Sequence, residues 1–387
     1  MSEYNYISCE NEYYRPTSLL FVLLTLSMSF IPLSSMGNYL RLGIVSFQFL
    51  LMAKSGGITS GMKNIFTMML LSLILPVLPV LLFEGTINFS IWMHEAIRLV
   101  FNIILIVMVS RYRIPFKWVL RSCLFLLIFN TTIQILQYRG YAQVSQWIRQ
   151  YYLVEGASDI HLYLASGVEG FRSGSIYMNP NVYMVIPLIT LAVILQANVL
   201  KPRLINYFWV AVCFISLVLT GSRTTLVVAG IVTILYFFIF DRTGALKWII
   251  LGALIVFLVT NWSVLSQEFR AFNVSEGMDD SFAVKTGGLI AYIRNSNIVY
   301  WLTGSLSSML NVQIDAEWGY IFKFYGLFGI VWYIKLLKSM NINYYSARFM
   351  TIASISIVAL VSLTATVVLC MAVFPFVCLV VFAEVEV

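Results

Sequence analysis

Long apolar segments recur along the whole chain, and short polar connections separate them. Most approach the ~20 residues that a helix needs to cross a lipid bilayer. Apolar residues run through each segment without alternating with polar ones, which excludes the strands of a transmembrane β-barrel. We therefore predict an all-α, polytopic integral membrane protein that forms one domain over residues 1–387 and has about 11–12 transmembrane helices. The predicted spans are 17–35, 37–53, 64–83, 97–109, 118–137, 177–197, 204–220, 224–240, 246–262, 316–336 and 350–369, with a twelfth candidate at 370–384.

Composition and charge placement agree with this class. Apolar residues make up 60% of the chain and charged residues only 11%, whereas about a quarter of a soluble protein is charged. Lys and Arg cluster in alternate short connections such as "RYRIPFK", "KPR" and "KLLK", and short basic loops of membrane proteins face the cytoplasm. The net charge of +7 is therefore an orientation signal that predicts a cytoplasmic N-terminus. No basic face with interleaved aromatic residues suggests nucleic-acid binding.

Two longer polar stretches face outward in this topology, at 138–176 and 263–315. Loops of this length are uncommon and are often functional. In the first, Val144, Trp147, Ile148 and Tyr151 recur at helical spacing, which predicts a short helix lying along the membrane interface. In the second, the apolar stretch 298–312 predicts an interfacial half-helix that enters the outer leaflet.

The first outward stretch ends in "FRSGSIYMNPNVYMV", which opens the span at 177–197. Pro180 suits the first turn of a helix, where its missing amide costs nothing. Asn179 can cap that helix by accepting a hydrogen bond from a free amide. One interpretation of the stretch is a capped helix start beside an interfacial arginine, Arg172. The other is that Arg172 belongs to a ligand site.

A second arginine on the same side favours the ligand site. In "LTGSRTTL" Gly221 allows a tight reversal between two spans and Ser222 can cap the second. Arg223 is needed for neither role, and a helix N-terminus attracts anions rather than cations. An anion bound at this helix start would explain the arginine. Because guanidinium pairs with two phosphate oxygens at once, Arg172 and Arg223 predict a shared phosphate-binding site.

The stretch "DAEWGYIFKFYGLFG" opens a late span with acidic residues and a buried cation. Asp315 and Glu317 are either ligand-binding residues or acids that favour the helix N-terminus. Lys323 lies about two turns inside the span, a depth at which a lysine is rare. It is either a functional residue or the counter-charge of a carboxylate within the bundle.

Together, "FRSGSIYMNPNVYMV", "LTGSRTTL" and "DAEWGYIFKFYGLFG" resemble the bacterial O-antigen polymerase and O-antigen ligase superfamily. The resemblance implies a metal-independent membrane glycosyltransferase without a cofactor, which acts at the periplasmic face of the inner membrane. It would join oligosaccharide repeat units carried on undecaprenyl pyrophosphate, with a flippase and a chain-length regulator as partners. Arg172 and Arg223 would hold the donor diphosphate. The other substrate-binding candidates are Asn179, Asn181, Tyr177, Arg294 and Lys323.

Glycosyl transfer from a diphosphate needs two kinds of group. Fixed cations stabilise the charge that develops on the leaving diphosphate, and a carboxylate commonly takes the proton of the acceptor hydroxyl. The base candidates, in order, are Glu317, Asp315 and Glu169.

Two alternatives stay open. An O-antigen ligase would transfer the glycan to the lipid A core, but its hallmark histidine in the late outer loop has no counterpart in 263–315. A transporter or flippase of lipid-linked sugars is favoured by the buried Lys323. It is disfavoured by the lack of matching halves, which many transporters show.

Overall fold

The computed structural model describes most of the chain, and within the described part nearly all of the regular structure is helical, as predicted. The described residues are 15–52, 60–83, 88–111, 114–152, 173–177, 179–240, 252, 260, 263, 278–306, 314, 316–339, 348–363, 365, 367–381 and 383–384.

The helices before the first long outward stretch are α1 Arg15–Met28, α2 Ser35–Met52, α3 Ser60–Ile74, α4 Val77–Phe83, α5 Phe89–Arg111 and α6 Phe116–Tyr138. Within or after that stretch come α7 Ala142–Tyr152, a 3-10 turn Ser175–Tyr177, α8 Pro180–Tyr183, α9 Val185–Leu200, α10 Leu204–Leu219 and α11 Arg223–Leu235, which continues as a π turn at Tyr236–Phe240. The later helices are α12 Met278–Asn295, α13 Ile298–Thr303, α14 Glu317–Ser339, α15 Arg348–Val361 and α16 Phe374–Val381. Two short strands, β1 Ile114–Pro115 and β2 Ala383–Glu384, pair in parallel.

Five helical stretches of the described chain are long and apolar enough to cross a membrane: Lys63–Phe83, Phe89–Met108, Phe116–Tyr138, Pro180–Leu200 and Glu317–Lys338. The stretch Pro180–Leu200 is the most enclosed, with 89% of its apolar window buried. It packs against α6, α10 and α15. The fifteen-residue run Val182–Gln196 is buried almost without interruption, so this span forms the centre of the bundle.

Four predicted spans differ from the structure. The span at 17–35 ends at Met28, the last residue of α1. The span at 97–109 is part of the longer helix α5, which starts at Phe89 and therefore includes Glu95 and Arg98. The predicted twelfth span is the eight-residue helix α16, which is too short to cross a bilayer and ends in the pair of strands. The span at 350–369 stops at Val361, and the residues described beyond it up to 373 are irregular and mostly buried. The span at 246–262 lies almost entirely outside the described residues.

Helix α14 is broken inside the bundle at Gly326, whose φ is +64°. The break removes the intrahelical partner of the Lys323 carbonyl, which instead accepts a hydrogen bond from the Ser305 amide at 2.8 Å. Gly304 and Gly326 let the two backbones touch, since a Cβ on Gly326 would lie 2.4 Å from the Leu302 oxygen. Helix α13 therefore packs directly on the break. A backbone group freed inside a membrane protein must find a protein partner of this kind.

Helices α1 and α2 form a hairpin that a buried arginine closes. Arg41 is 0% exposed, and it donates to the carbonyl oxygens of Met28 at 3.1 Å and Pro32 at 3.2 Å and also to that of Ile31. These carbonyls lie at or just after the end of α1, where no helical amide is available as a donor. Arg41, which lies on α2, thus provides the hydrogen bonds that the end of α1 lacks.

Candidate functional site

The polar segment Ser173–Tyr177 is buried between α6 and α10 at the predicted outer end of the bundle. The Ser173 amide donates to the Leu219 carbonyl at 2.9 Å, and the Ser173 hydroxyl donates to Gln137 Oε1. The Ser175 hydroxyl donates to Asn130 Oδ1 at 2.8 Å. These contacts hold the segment in place on both sides.

A chain of hydrogen bonds continues inward from this segment. Gln134 Nε2 donates to the Ser173 carbonyl at 3.3 Å, and Gln134 Oε1 accepts from Ser216 Oγ at 2.8 Å. The Tyr183 hydroxyl lies 2.7 Å from the same Ser216 oxygen. Gln137, whose Oε1 accepts from Ser173, has a buried Nε2 with no hydrogen-bond partner among the described residues. These hydrogen bonds fix the position of Ser173–Tyr177 relative to α6 and α10.

The helix start at 179–181 has the predicted cap. Asn179 Oδ1 accepts from the Asn181 amide at 2.9 Å, and Pro180 occupies the first turn. Tyr177 is 2% exposed, and its ring stacks on that of Tyr183 with the centroids 5.8 Å apart. Asn179 and Asn181 are half-buried, whereas Tyr177 faces the interior. Among these three substrate-binding candidates, the two asparagines are therefore more accessible than Tyr177.

The reversal before Arg223 is confirmed, but its predicted side-chain cap is wrong. Gly221 has a φ of +62°. Ser222 holds the N-cap position without a capping hydrogen bond, and its hydroxyl lies 3.5 Å from Met184 Sδ. Arg223 is the first residue of α11 and is half-buried.

The two arginine-bearing segments meet through the backbone. Arg172 and the base candidates Glu169 and Asp315 lie outside the described residues. Ser173, the neighbour of Arg172, is hydrogen-bonded to Leu219, four residues before Arg223. The structure therefore brings the segment that follows Arg172 onto the turn that carries Arg223.

Glu317 lies at the start of α14 and is fully enclosed. Its Oε2 lies 2.8 Å from the Tyr333 hydroxyl and 2.7 Å from the Ser362 hydroxyl, and its Oε1 accepts from the Leu369 amide at 2.7 Å. Ser362 and Leu369 belong to the irregular stretch after α15, so the carboxylate supplies an acceptor that this backbone needs. As described, Glu317 faces the interior and not the outer mouth.

Lys323 and Arg294 occupy different surroundings. Lys323 is 6% exposed, and its Nζ lies 5.0 Å from the centroid of the Phe324 ring. Arg294 is exposed at the end of α12.

A further polar centre, on α5 and α14, was not predicted. The Glu95 carboxylate is 3.0 Å from Arg98 Nη1 and accepts from the hydroxyls of Tyr320, at 2.6 Å, and Tyr325. Arg98 Nη1 also donates to the Tyr320 hydroxyl at 2.7 Å. The spacing of Glu95 and Arg98 on one helical face was a usable signal, but the span was predicted to start at 97, which left Glu95 outside it.

In the predicted topology, the starts of α5 and α14 and the Ser173–Tyr177 segment all lie at the outer end of the bundle.

A comparison of the chain with protein-family models, curated proteins and solved structures found no match.

Proposed function

We propose that the chain is a surface-polysaccharide polymerase of the O-antigen type, which joins oligosaccharide repeat units carried on undecaprenyl pyrophosphate. The observation that carries the proposal is the hydrogen bond between the Ser173 amide and the Leu219 carbonyl. It supports a site in which Arg172 and Arg223 approach one diphosphate from two separate segments. The donor's lipid tail would remain in the bilayer, and its sugars would lie among the outward loops.

In this proposal the chemistry is a single glycosyl transfer. The bond between the sugar and the diphosphate breaks, the acceptor oxygen bonds to the same sugar carbon, and a carboxylate takes the acceptor proton. Arg172 and Arg223 stabilise the negative charge that develops on the diphosphate. An acceptor would reach Glu317 only after α14 and the stretch at 362–369 separate. Asp315 and Glu169 therefore stay in the proposal as alternative bases.

A lipid-linked sugar transporter is the second candidate, and the break in α14 at Gly326 favours it. Discontinuous helices form the substrate sites of many transporters, and the short helix α13 packs against this break. The buried cation Lys323 lies beside it.

Reconstitution separates the candidates. The purified chain would be placed in liposomes with lipid-linked repeat units, and the products would be resolved by length. A ladder of longer glycans that forms without an ion gradient is expected of a polymerase. Gradient-dependent movement of the lipid without a ladder would contradict the proposal and indicate a transporter. Transfer of intact glycan to a lipid A core without any ladder would indicate a ligase.

A further inference from the structure

The guanidinium of Arg98 is fixed on one side and open on the other. Its Nη1 donates to both Glu95 and Tyr320, and its central carbon lies 5.4 Å from the centroid of the Tyr320 ring. Among the described residues, Nε and Nη2 have no hydrogen-bond partner, and 27% of the side chain is exposed. Two donors in the fork geometry that suits phosphate are thus available.

The partners of Arg98 orient it before any ligand arrives. Glu95 is 3% exposed and is itself held by Tyr320 and Tyr325, which lie on a different helix. A side chain that is already ordered loses less conformational entropy when it binds an anion. Arg98 therefore differs from an arginine that only extends its charge to the membrane surface.

Arg98 is placed where a lipid diphosphate would lie. Arg98 contacts Tyr320, which lies in the first turn of α14, so the guanidinium lies close to the predicted outer end of that span. A lipid tail in the bilayer and sugars near the transfer site would both be compatible with a diphosphate here.

We propose that Arg98 forms a second diphosphate-binding subsite, which holds the lipid-linked acceptor while Arg172 and Arg223 hold the donor. The inference rests on the proposed function, because chain extension joins two substrates that each carry a lipid diphosphate. The donor diphosphate leaves during transfer, whereas the acceptor keeps its own. The acceptor subsite therefore needs only to bind, for which one oriented arginine is sufficient. Glu95, Tyr320 and Tyr325 are its positioning residues.

Acceptor choice by the reconstituted protein tests the subsite. A labelled lipid-linked donor is offered either a lipid-linked repeat unit or the same repeat unit without lipid and diphosphate. The wild type is expected to use the diphosphate-bearing acceptor at least about tenfold more efficiently, as one charge-assisted bidentate contact provides. Most of that preference should be a lower KM for the acceptor.

The test variant removes both charges of the pair, because Arg98→Gln alone would leave Glu95 as an uncompensated buried charge. Glu95→Gln with Arg98→Gln is expected to lower the preference about tenfold and to leave use of the lipid-free acceptor unchanged. Tyr320→Phe keeps both charges and should lower the preference partly. Arg121→Gln is the matched control, since Arg121 also stacks on an aromatic ring, that of Trp118, but is exposed near the start of α6.

The outcomes separate the two proposals. A wild type that forms a ladder but shows no preference for the diphosphate-bearing acceptor would overturn the acceptor subsite alone. Full preference in both the double variant and Tyr320→Phe would overturn it as well. A wild type that forms no ladder from lipid-linked units would overturn the proposed function itself.

Discussion

Glu317 is an acceptor for three buried donors. The hydroxyls of Tyr333 and Ser362 and the amide of Leu369 all contact its carboxylate. Buried polar groups cost free energy when they lose such partners, about 1–3 kcal/mol each. The carboxylate therefore stabilises the irregular stretch after α15, whatever else it does.

We predict that Glu317→Ala lowers the free energy of unfolding by on the order of 3 kcal/mol, because it removes the acceptor of these buried donors. Thermal unfolding of the purified protein in detergent measures the change. Lys338→Ala is the control, since Lys338 is exposed near the end of the same helix. An unchanged melting temperature with glycan transfer lost would instead point to Glu317 as the base.

Individual residues were predictable where their partners are close in sequence. The cap at Asn179 and the reversal at Gly221 depend on backbone within a few residues, and both predictions are confirmed. The contact between Arg98 and Tyr320 joins positions 222 residues apart, and no local pattern reveals it. The acceptor role of Glu317 toward Leu369 is equally remote in sequence. These contacts depend on which helices pack together.

At the scale of elements, the break in α14 is the least regular feature of a long span. Its cause is local, since Gly326 adopts a positive φ that other residues avoid. The hydrogen bond lost at the break is replaced from another segment, because the Ser305 amide donates to the Lys323 carbonyl. The half-helix predicted at 298–312 is helical only over α13, Ile298–Thr303, among its described residues, and Ser305 follows its end. The apolar pattern of the sequence predicted both segments, but it did not predict that their backbones pack against each other.

We predict that Gly326→Ala lowers the free energy of unfolding by about 2–4 kcal/mol, because the new Cβ would meet the Leu302 oxygen and the backbone conformation would be strained. The melting temperature in detergent should fall accordingly. Gly230→Ala is the matched control, since Gly230 lies inside α11, where an added Cβ would have no packing neighbour within 4 Å. Equal melting temperatures for the two variants would show that α13 and α14 do not need this close approach.

At the scale of the whole molecule, three polar features of the described chain share one end of an apolar bundle. The Ser173–Tyr177 segment, the start of α11 and the Glu95–Arg98 centre all lie at the predicted outer end. The membrane class was predictable from hydropathy, because each span is a run of consecutive apolar residues. The convergence of the polar segments was a hypothesis based on topology, and the Ser173–Leu219 hydrogen bond now supports it.

The most direct measurement is the length of glycan made in liposomes by arginine variants from the two ends of the bundle. Arg172→Ala and Arg223→Ala should each abolish chain extension with an unchanged amount of folded protein, and Arg172→Lys should lose most of it because the bidentate contact is lost. Arg203→Ala, an exposed arginine before α10 at the predicted inner end, should make the full ladder. Normal ladders from both Arg172→Ala and Arg223→Ala would contradict the shared diphosphate site.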